Sequence, residues 1–262
     1  MRLNAQASTL CTRIFYILAH ALAFTVLFYY PSDFTSNMSY PFFTFILLKL
    51  AASIQYFTCG INPGYLKDYD TSHYQQIEDD WQPPPQFTCN TCKIIIPYRS
   101  KHCKDCDLCV ASFDHHCYWI GSCVGELNHF RFCLYLLSES LSLILFANNC
   151  VSGMSRDKQA YGAFIVVFAI SGLMGVMTLG MGIYHIYLVS IASTTWESQK
   201  WNKITYLNIY PRSFNPFSKG IIKNWKNAIF DKRPRQWILP KPPQSTRQIS
   251  FSFFDNQYYS CC

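Results

Sequence analysis

The chain has 262 residues, of which 50% are hydrophobic, 17% aromatic and 14% charged. Soluble domains carry about 25% charged residues, so this composition is poor in solubilising side chains. It is too apolar for a disordered chain and too long for a disulfide-stapled miniprotein. The net charge of +7 is unevenly placed, with eleven Lys and Arg after residue 190 against only Glu197, Asp231 and Asp255. A basic tail of this kind attracts lipid headgroups, phosphates or nucleic acid.

Four apolar stretches, roughly 14–30, 42–59, 132–148 and 163–189, approach or exceed the about 20 residues that a helix needs to cross a bilayer. The fourth is the clearest, since no Asp, Glu, Lys or Arg occurs from Gln159 to Trp196. The first leads into Tyr29-Tyr30-Pro31 and not into a small-residue cleavage site, so it reads as a retained helix. An even number of spans puts both termini on one side. Segments 1–13, 60–131 and the tail after 190 hold nineteen Lys and Arg, while loops 31–41 and 149–162 hold two, Arg156 and Lys158. This bias assigns the termini and the long 60–131 segment to the cytosol. Asn37-Met38-Ser39 is a glycosylation sequon in a predicted lumenal loop, close to the bilayer and expected by chance. Two charges, Lys49 and Glu139, fall inside spans about 12–15 Å deep. Intramembrane charges are costly and tend to pair or face a cavity, which leaves two readings: a Lys49–Glu139 ion pair inside the bundle, or one side chain snorkelling while the other sits near an interface. Small residues of the fourth span, Ser171 and Gly175, suit close helix packing.

Of the 13 Cys, seven lie between Cys89 and Cys123. Clustered C-x2-C pairs with interleaved His read as metal ligands. The segment follows a stiff spacer, Pro83-Pro84-Pro85. Its candidate ligands are Cys89, Cys92, Cys103, Cys106, Cys109, Cys117, Cys123, His102, His115, His116 and His129. Structural zinc takes four Cys or His ligands, so two ions need eight. Setting aside His115, Cys117 and His129 leaves eight, although spacing alone does not say which Cys is spare. Asp114-His115-His116-Cys117 adds a chemical argument. In an extended backbone His115 and Cys117 share a face while His116 turns the other way. An imidazole beside a thiol can take its proton, and a carboxylate on the remote nitrogen would hold the tautomer. Strict extension points Asp114 away from His115, so a bend is expected there. The rival is a purely structural, RING-like zinc module anchored in the membrane and used for protein interaction.

Residues 89–130 resemble the cysteine-rich domain of the DHHC protein S-acyltransferases, or palmitoyltransferases. The likeness rests on Asp114-His115-His116-Cys117 and its frame: C-x2-C, Pro97-Tyr98-Arg99-Ser100-Lys101-His102-Cys103, a second C-x2-C, then Trp119, Cys123, Gly125, Asn128 and Phe130. Thr194-Thr195-Trp196-Glu197 is similar to the family's T-T-x-E motif, and Asn215-Pro216-Phe217 with Gly220 and Asn224 to a later element. Tyr118, where the family has Pro, Gly121-Ser122 and Ile96 depart from its usual pattern. The resemblance covers roughly residues 10–230.

It implies an all-α membrane protein of four transmembrane helices, with a cytosolic zinc-bound cysteine-rich domain between helices 2 and 3. The divisions are 1–59 (N-terminal segment and helices 1–2), 60–131 (linker and zinc domain), 132–189 (helices 3–4) and 190–262 (basic tail with the T-T-x-E motif). Two structural zinc ions are implied, on Cys89, Cys92, His102 and Cys109, and on Cys103, Cys106, His116 and Cys123. Cys117 is the implied nucleophile, His115 its base and Asp114 the residue orienting that base. Thr194, Thr195 and Glu197 would support the site and Trp119 would lie near acyl-CoA, the co-substrate. The implied partners are membrane lipids, acyl-CoA and cysteine-containing proteins at the cytosolic face, with no nucleic acid. The basic residues Lys219, Lys223, Lys226, Lys232, Arg233 and Arg235 read as lying against anionic lipid. The implied location is an endomembrane (ER or Golgi), with the plasma membrane as the alternative. Cys261-Cys262 resembles a lipidation site.

Overall fold

The computed structural model describes residues 2–29, 40–66, 81–156, 161–230 and 237–243. The sequon at Asn37, the loop residue Lys158, the tail residues Lys232, Arg233 and Arg235, and Cys261-Cys262 lie outside these. The chain divides into two compact units. One comprises Ala7–Cys59 and Arg131–His185, the other Met1–Gln6, Gly60–Phe130 and Ile186–Cys262.

Among the described residues four long helices dominate: α1 (Arg2–Tyr29), α2 (Tyr40–Cys59), α3 (His129–Arg156) and α4 (Tyr161–Ser190). Each contains a stretch long and apolar enough to cross a membrane, namely Thr9–Val26, Tyr40–Cys59, His129–Ser152 and Tyr161–Ser190. The helices outrun the predicted spans where polar residues interrupt the apolar run without breaking the helix. α1 begins at Arg2 and not near residue 14, because nothing from Arg2 to Arg13 is Gly or Pro. α3 continues past residue 148, where the Ser152 hydroxyl folds back onto the Asn149 carbonyl at 2.8 Å.

In the helical unit Phe42, Phe45, Phe146, Cys150 and Phe164 form a buried cluster. The outward face of α4 carries Ile165, Val166, Ile170, Leu173, Val176 and Ile183, all exposed. Apolar side chains turned outward suit lipid and not water. Gly175 lets α4 approach α3 closely, since a Cβ there would stand 3.1 Å from Ile144 and 3.3 Å from Leu143. Lys49 and Glu139 meet as an ion pair, Nζ to Oε1 at 2.5 Å, with both side chains buried. His20 Nε2 stands 3.3 Å from the same oxygen. The Tyr16 ring stacks on Tyr56 at 3.9 Å, and its hydroxyl lies 3.3 Å from that of Ser53.

The described residues of the second unit form three two-stranded antiparallel hairpins: β1 (Phe87–Thr88) with β2 (Ile95–Ile96), β3 (Lys101–Cys103) with β4 (Leu108–Val110), and β5 (His115–Cys117) with β6 (Ser122–Val124). They repeat every fourteen residues. Phe87 pairs with Ile96, Lys101 with Val110 and His115 with Val124. Lys93, Asp107 and Gly121 sit at equivalent places in the three turns, with left-handed φ of 58°, 54° and 60°. Gly125 is required where the third hairpin leaves, because a Cβ would lie 2.6 Å from the Pro63 carbonyl and from Val110.

The described residues after α4, 191–230 and 237–243, are folded. Short α5 (Thr195–Lys200) and one 3-10 turn (Trp201–Lys203) lead to α6 (Ile221–Phe230). Tyr98, Trp201, Tyr206, Tyr210, Phe217 and Trp237 belong to one buried aromatic cluster. A segment read from its charge as a basic tail thus contributes a hydrophobic core, while Lys223 and Lys226 remain exposed on α6.

Candidate active site and metal centres

Hairpin register assembles the metal ligands. Strand pairing puts His102 opposite Cys109, and His116 opposite Cys123. Each pair meets the C-x2-C turn of the preceding hairpin, giving Cys89, Cys92, His102 and Cys109 in one set and Cys103, Cys106, His116 and Cys123 in the other. Within each set the ligand atoms all lie within 4.8 Å of one another. The separations from His116 Nδ1 to the Cys103, Cys106 and Cys123 sulfurs are 3.5, 3.4 and 3.7 Å. Those from His102 Nδ1 to Cys92 and Cys109 are 3.4 and 3.8 Å. A tetrahedron with Zn–S of about 2.3 Å and Zn–N of about 2.0–2.1 Å has edges of about 3.5–3.8 Å. Three thiols and one imidazole at these spacings can bind zinc in both sets. Asp107 Oδ1 faces the remote nitrogen of His102 at 3.7 Å, where an outer carboxylate commonly orients a ligating ring.

One cysteine of the domain belongs to neither set. Cys117 is buried on β5, opposite Ser122. Strand alternation puts His116 with the metal ligands and leaves His115 beside Cys117. The His115 Nδ1–H donates to Asp114 Oδ2 at 2.6 Å. Nε2 is then the nitrogen that faces the thiol. Burial opposes charge on His115, but hydrogen bonds with Asp114 and Cys117 outweigh it and push the imidazole up to about 9. Asp114 is itself 1% exposed. Its other oxygen, Oδ1, accepts the Thr195 backbone N–H at 2.7 Å. His129, set aside as a ligand, lies 4.0 Å from that oxygen.

Thr195 is positioned by the α5 terminus. Thr194 caps it, its hydroxyl accepting the Glu197 N–H at 3.2 Å while Glu197 Oε2 accepts the Thr194 N–H at 3.0 Å. This is a reciprocal capping box. Glu197 also receives both arms of the Arg99 guanidinium, each at 2.7 Å. Arg99 is fully buried, which disfavours its charge, yet the facing Glu197 carboxylate more than offsets this and raises its affinity for the proton. Upstream, α4 ends in a Schellman motif with Ala192 left-handed at φ 51°, Ser193 N–H bonding Leu188 O and Ala192 N–H bonding Val189 O. The exposed carbonyls of this end are covered by side chains. Asn215 Nδ2 donates to Ile191 O at 2.7 Å, Asn224 Nδ2 to Ser190 O at 2.9 Å and Arg99 Nη2 to Ala192 O at 2.9 Å.

Trp119 is 63% exposed beside exposed Tyr118, at the tip of the third hairpin. Gly125 and Asn128 have structural work. Asn128 Oδ1 accepts the Gly125 N–H at 2.8 Å and its Nδ2 donates to Cys123 O at 2.8 Å, fixing the passage into α3. Sequence reasoning did not single out Arg99 as a hub, nor Tyr206, Trp237 or the capping roles of Asn215 and Asn224. Their partners are distant in sequence, and only the family frame flagged Arg99, Asn215 and Asn224 at all.

The fold and the site define a class: a multi-pass membrane protein with a two-centre metal-binding hairpin domain and one cysteine held beside a histidine and an aspartate. Comparison with known proteins sharpens it. The DHHC palmitoyltransferase family matches residues 83–202. A Dictyostelium discoideum protein named as a ZDHHC-type palmitoyltransferase 7 is 36% identical over 191 residues, covering 67% of this chain and 43% of that protein. Human palmitoyltransferase ZDHHC12 is 32% identical over 193 residues, covering 69% of this chain and 71% of that protein. Human palmitoyltransferase ZDHHC20 is 31% identical over 159 residues, covering 58% and 42%. The chain belongs to the DHHC palmitoyltransferase family. It spans less than half the length of the Dictyostelium relative and about seven tenths of ZDHHC12.

Proposed function

We propose that this chain is a protein S-acyltransferase that moves a long-chain acyl group, palmitoyl above all, from acyl-CoA to cysteine thiols of proteins. The observation that carries the reading is the Asp114–His115 contact beside Cys117, in a domain whose other six cysteines gather into metal-binding sets. In the first transfer His115 Nε2 takes the Cys117 proton and the thiolate attacks the acyl-CoA thioester carbon. The S–C bond to CoA breaks, His115 returns the proton to the departing CoA thiolate, and a thioester remains on Cys117. In the second transfer a substrate cysteine gives its proton to His115 and attacks that thioester, and Cys117 leaves as thiolate. One thioester replaces another at each step, so the exchange is nearly balanced and needs no ATP. Asp114 holds the Nδ1–H tautomer throughout. Thr194, Thr195 and Glu197 support Asp114 through the α5 terminus, and Trp119 is assigned to the acyl-CoA vicinity.

Bound zinc supplies folding energy to short hairpins with little apolar core of their own. Four protein ligands would close each centre and leave no position for substrate. The proposed ligands are the two Cys3His sets, with Cys117 outside both. Residues 60–131 and 190–262 are assigned to the cytosol, with helices in 1–59 and 132–189, so both termini are cytosolic. Because the zinc segment leaves one spanning helix and enters another, chain connectivity keeps it at the membrane face. There it meets polar CoA, while hydrocarbon takes the acyl chain. A palmitoyl chain prefers hydrocarbon to water by roughly 11 kcal/mol, at about 0.8 kcal/mol per CH₂. Exposed Lys223 and Lys226 are assigned to anionic lipid, and the protein to an endomembrane, ER or Golgi.

The test is autoacylation. Purified full-length protein is incubated with labelled acyl-CoA and compared with Cys117→Ser. A hydroxylamine-labile adduct on the wild type only is expected. No adduct on folded, zinc-loaded wild type would overturn the proposal.

A further inference from the structure

The fourteen-residue repeat puts Cys117 where Cys89 and Cys103 stand in the first two hairpins. In those hairpins the residue three places on is a second cysteine. Its backbone N–H points at the first sulfur, Cys92 to Cys89 at 3.4 Å and Cys106 to Cys103 at 3.5 Å. In the third hairpin that place is taken by Ile120, which is 1% exposed. The other ligands of each set come from the cross-strand pair of the following hairpin. After β6 the chain enters α3 at His129, so no fourth hairpin follows the third. Cys117 nevertheless keeps one donor beside it, the His115 ring that hydrogen-bonds its thiol. A thiol and an imidazole are one donor short of the three protein ligands that hold zinc in open sites. The second position of the C-x2-C turn is where the hairpins before it supply that donor.

We propose that Ile120 is a positioning residue that keeps Cys117 free of zinc. It withholds the chelating donor at the one turn of the repeat where the thiol must stay uncoordinated. A thiolate bound to zinc shares the lone pair that a nucleophile needs, so a domain that concentrates zinc around six cysteines must exclude it from the seventh. The left-handed turn residue is retained, with φ of 58°, 54° and 60° at Lys93, Asp107 and Gly121, while an aliphatic side chain stands in the donor's place. The inference rests on reading Cys117 as the nucleophile, but its test has readouts that do not depend on acyl transfer.

Full-length wild type, Ile120→Cys, Ile120→His and Ile120→Ser are purified under reducing conditions with zinc. Metal per chain is counted by mass spectrometry, and Cys117 alkylation by iodoacetamide is timed by peptide mapping. Wild type and I120S are expected to hold two ions and to alkylate at similar rates, since Ser matches the loss of apolar packing without adding a soft donor. I120C is expected to hold a third ion and to alkylate at Cys117 at least about tenfold more slowly, because a coordinated thiolate is a poor nucleophile. I120H supplies a donor at the same place and decides the matter should I120C fail to fold. The proposal is overturned if the donor variants that fold hold two ions and alkylate like I120S, or if wild type itself holds a third ion on Cys117. An absent acyl adduct on wild type would remove the acyltransferase reading while leaving the metal count to stand or fall alone.

Discussion

Replacing Lys49 by Met isolates Glu139 in the helical unit. Its side chain is 6% exposed, its Oε2 has no hydrogen-bond partner among the described residues, and after the change Oε1 loses the ammonium and keeps the weaker contact with His20 at 3.3 Å. Lys49 is ten residues before the end of α2 and Glu139 ten residues into α3, so both lie about 15 Å along their helices. That is the middle of a hydrocarbon core about 30 Å thick. Orphaning one member of a buried pair costs about 3–5 kcal/mol. At about 2–4 °C per kcal/mol for a chain of this size, K49M should lower the unfolding midpoint in bicelles by about 6–20 °C. Glu139→Leu should cost a similar amount by stranding the ammonium. The double variant should recover most of the loss, because an apolar pair needs no mutual compensation. A thermodynamic cycle from fluorescence-monitored unfolding of the four proteins gives the coupling. A value above about 2 kcal/mol exceeds the largest coupling of about 1.7 kcal/mol found between hydrogen-bonded membrane helices and identifies an ion pair. Additive losses would refute the pairing.

Two further outcomes are expected. Gly125→Ala forces a Cβ to within 2.6 Å of Pro63 O and Val110 and 2.9 Å of Ala111 O, and should destabilise the hairpin domain by about 2–4 kcal/mol, as other steric insertions at closed sites do. Limited proteolysis between residues 60 and 130 reads this out, and wild-type protection would contradict it. Stripping zinc with a strong chelator should release two ions per chain and abolish protection of the same segment, since metal binding and folding are coupled in such domains. A segment still protected after both ions are gone would show that its apolar core suffices.

The spans were legible because apolar length is a property of composition, and the Lys49–Glu139 contact because two opposite charges at equal depth have few other partners. The metal sets were countable from spacing, but their division into two came from family likeness and not from ligand counting. The structural reason for that division is the offset repeat, which sequence alone hid. Of the three turn residues with left-handed φ only Gly121 is glycine, and Lys93 and Asp107 carry no such signature. The tail misled for a physical reason. Its charge is conspicuous, whereas its aromatic residues are spaced by the demands of a partner surface and follow no helical or strand period. Tyr206, Phe217 and Trp237 make sense only against Tyr98 and Arg99, more than a hundred residues earlier.

Arg99 shows how that surface reaches the chemistry. Its φ of 67° is one a side-chain-bearing residue adopts at a cost of about 1–2 kcal/mol. Contacts with six residues offset the cost, Ala192 O among them. Its N–H donates to the Tyr206 hydroxyl at 3.0 Å, its C=O accepts the Phe113 N–H at 2.9 Å, and its guanidinium grips Glu197. The rings of Phe217 and Trp237 lie 4.5 and 4.4 Å from the guanidinium carbon. Trp237 is anchored in turn by its indole N–H on Ser112 at 3.1 Å, and Ser112 donates to Glu126 at 3.1 Å. One side chain therefore joins the hairpin domain to the α4 terminus, α5, Phe217 and Trp237. The consequence falls on Asp114, which follows Phe113 directly and takes the Thr195 N–H from the far side. One carboxylate oxygen, Oδ1, is thereby fixed from a segment that Arg99 holds, and the other, Oδ2, bonds His115. A zinc hairpin alone would present Cys117 and His115, but the orientation of that histidine is set by the folded segment after α4.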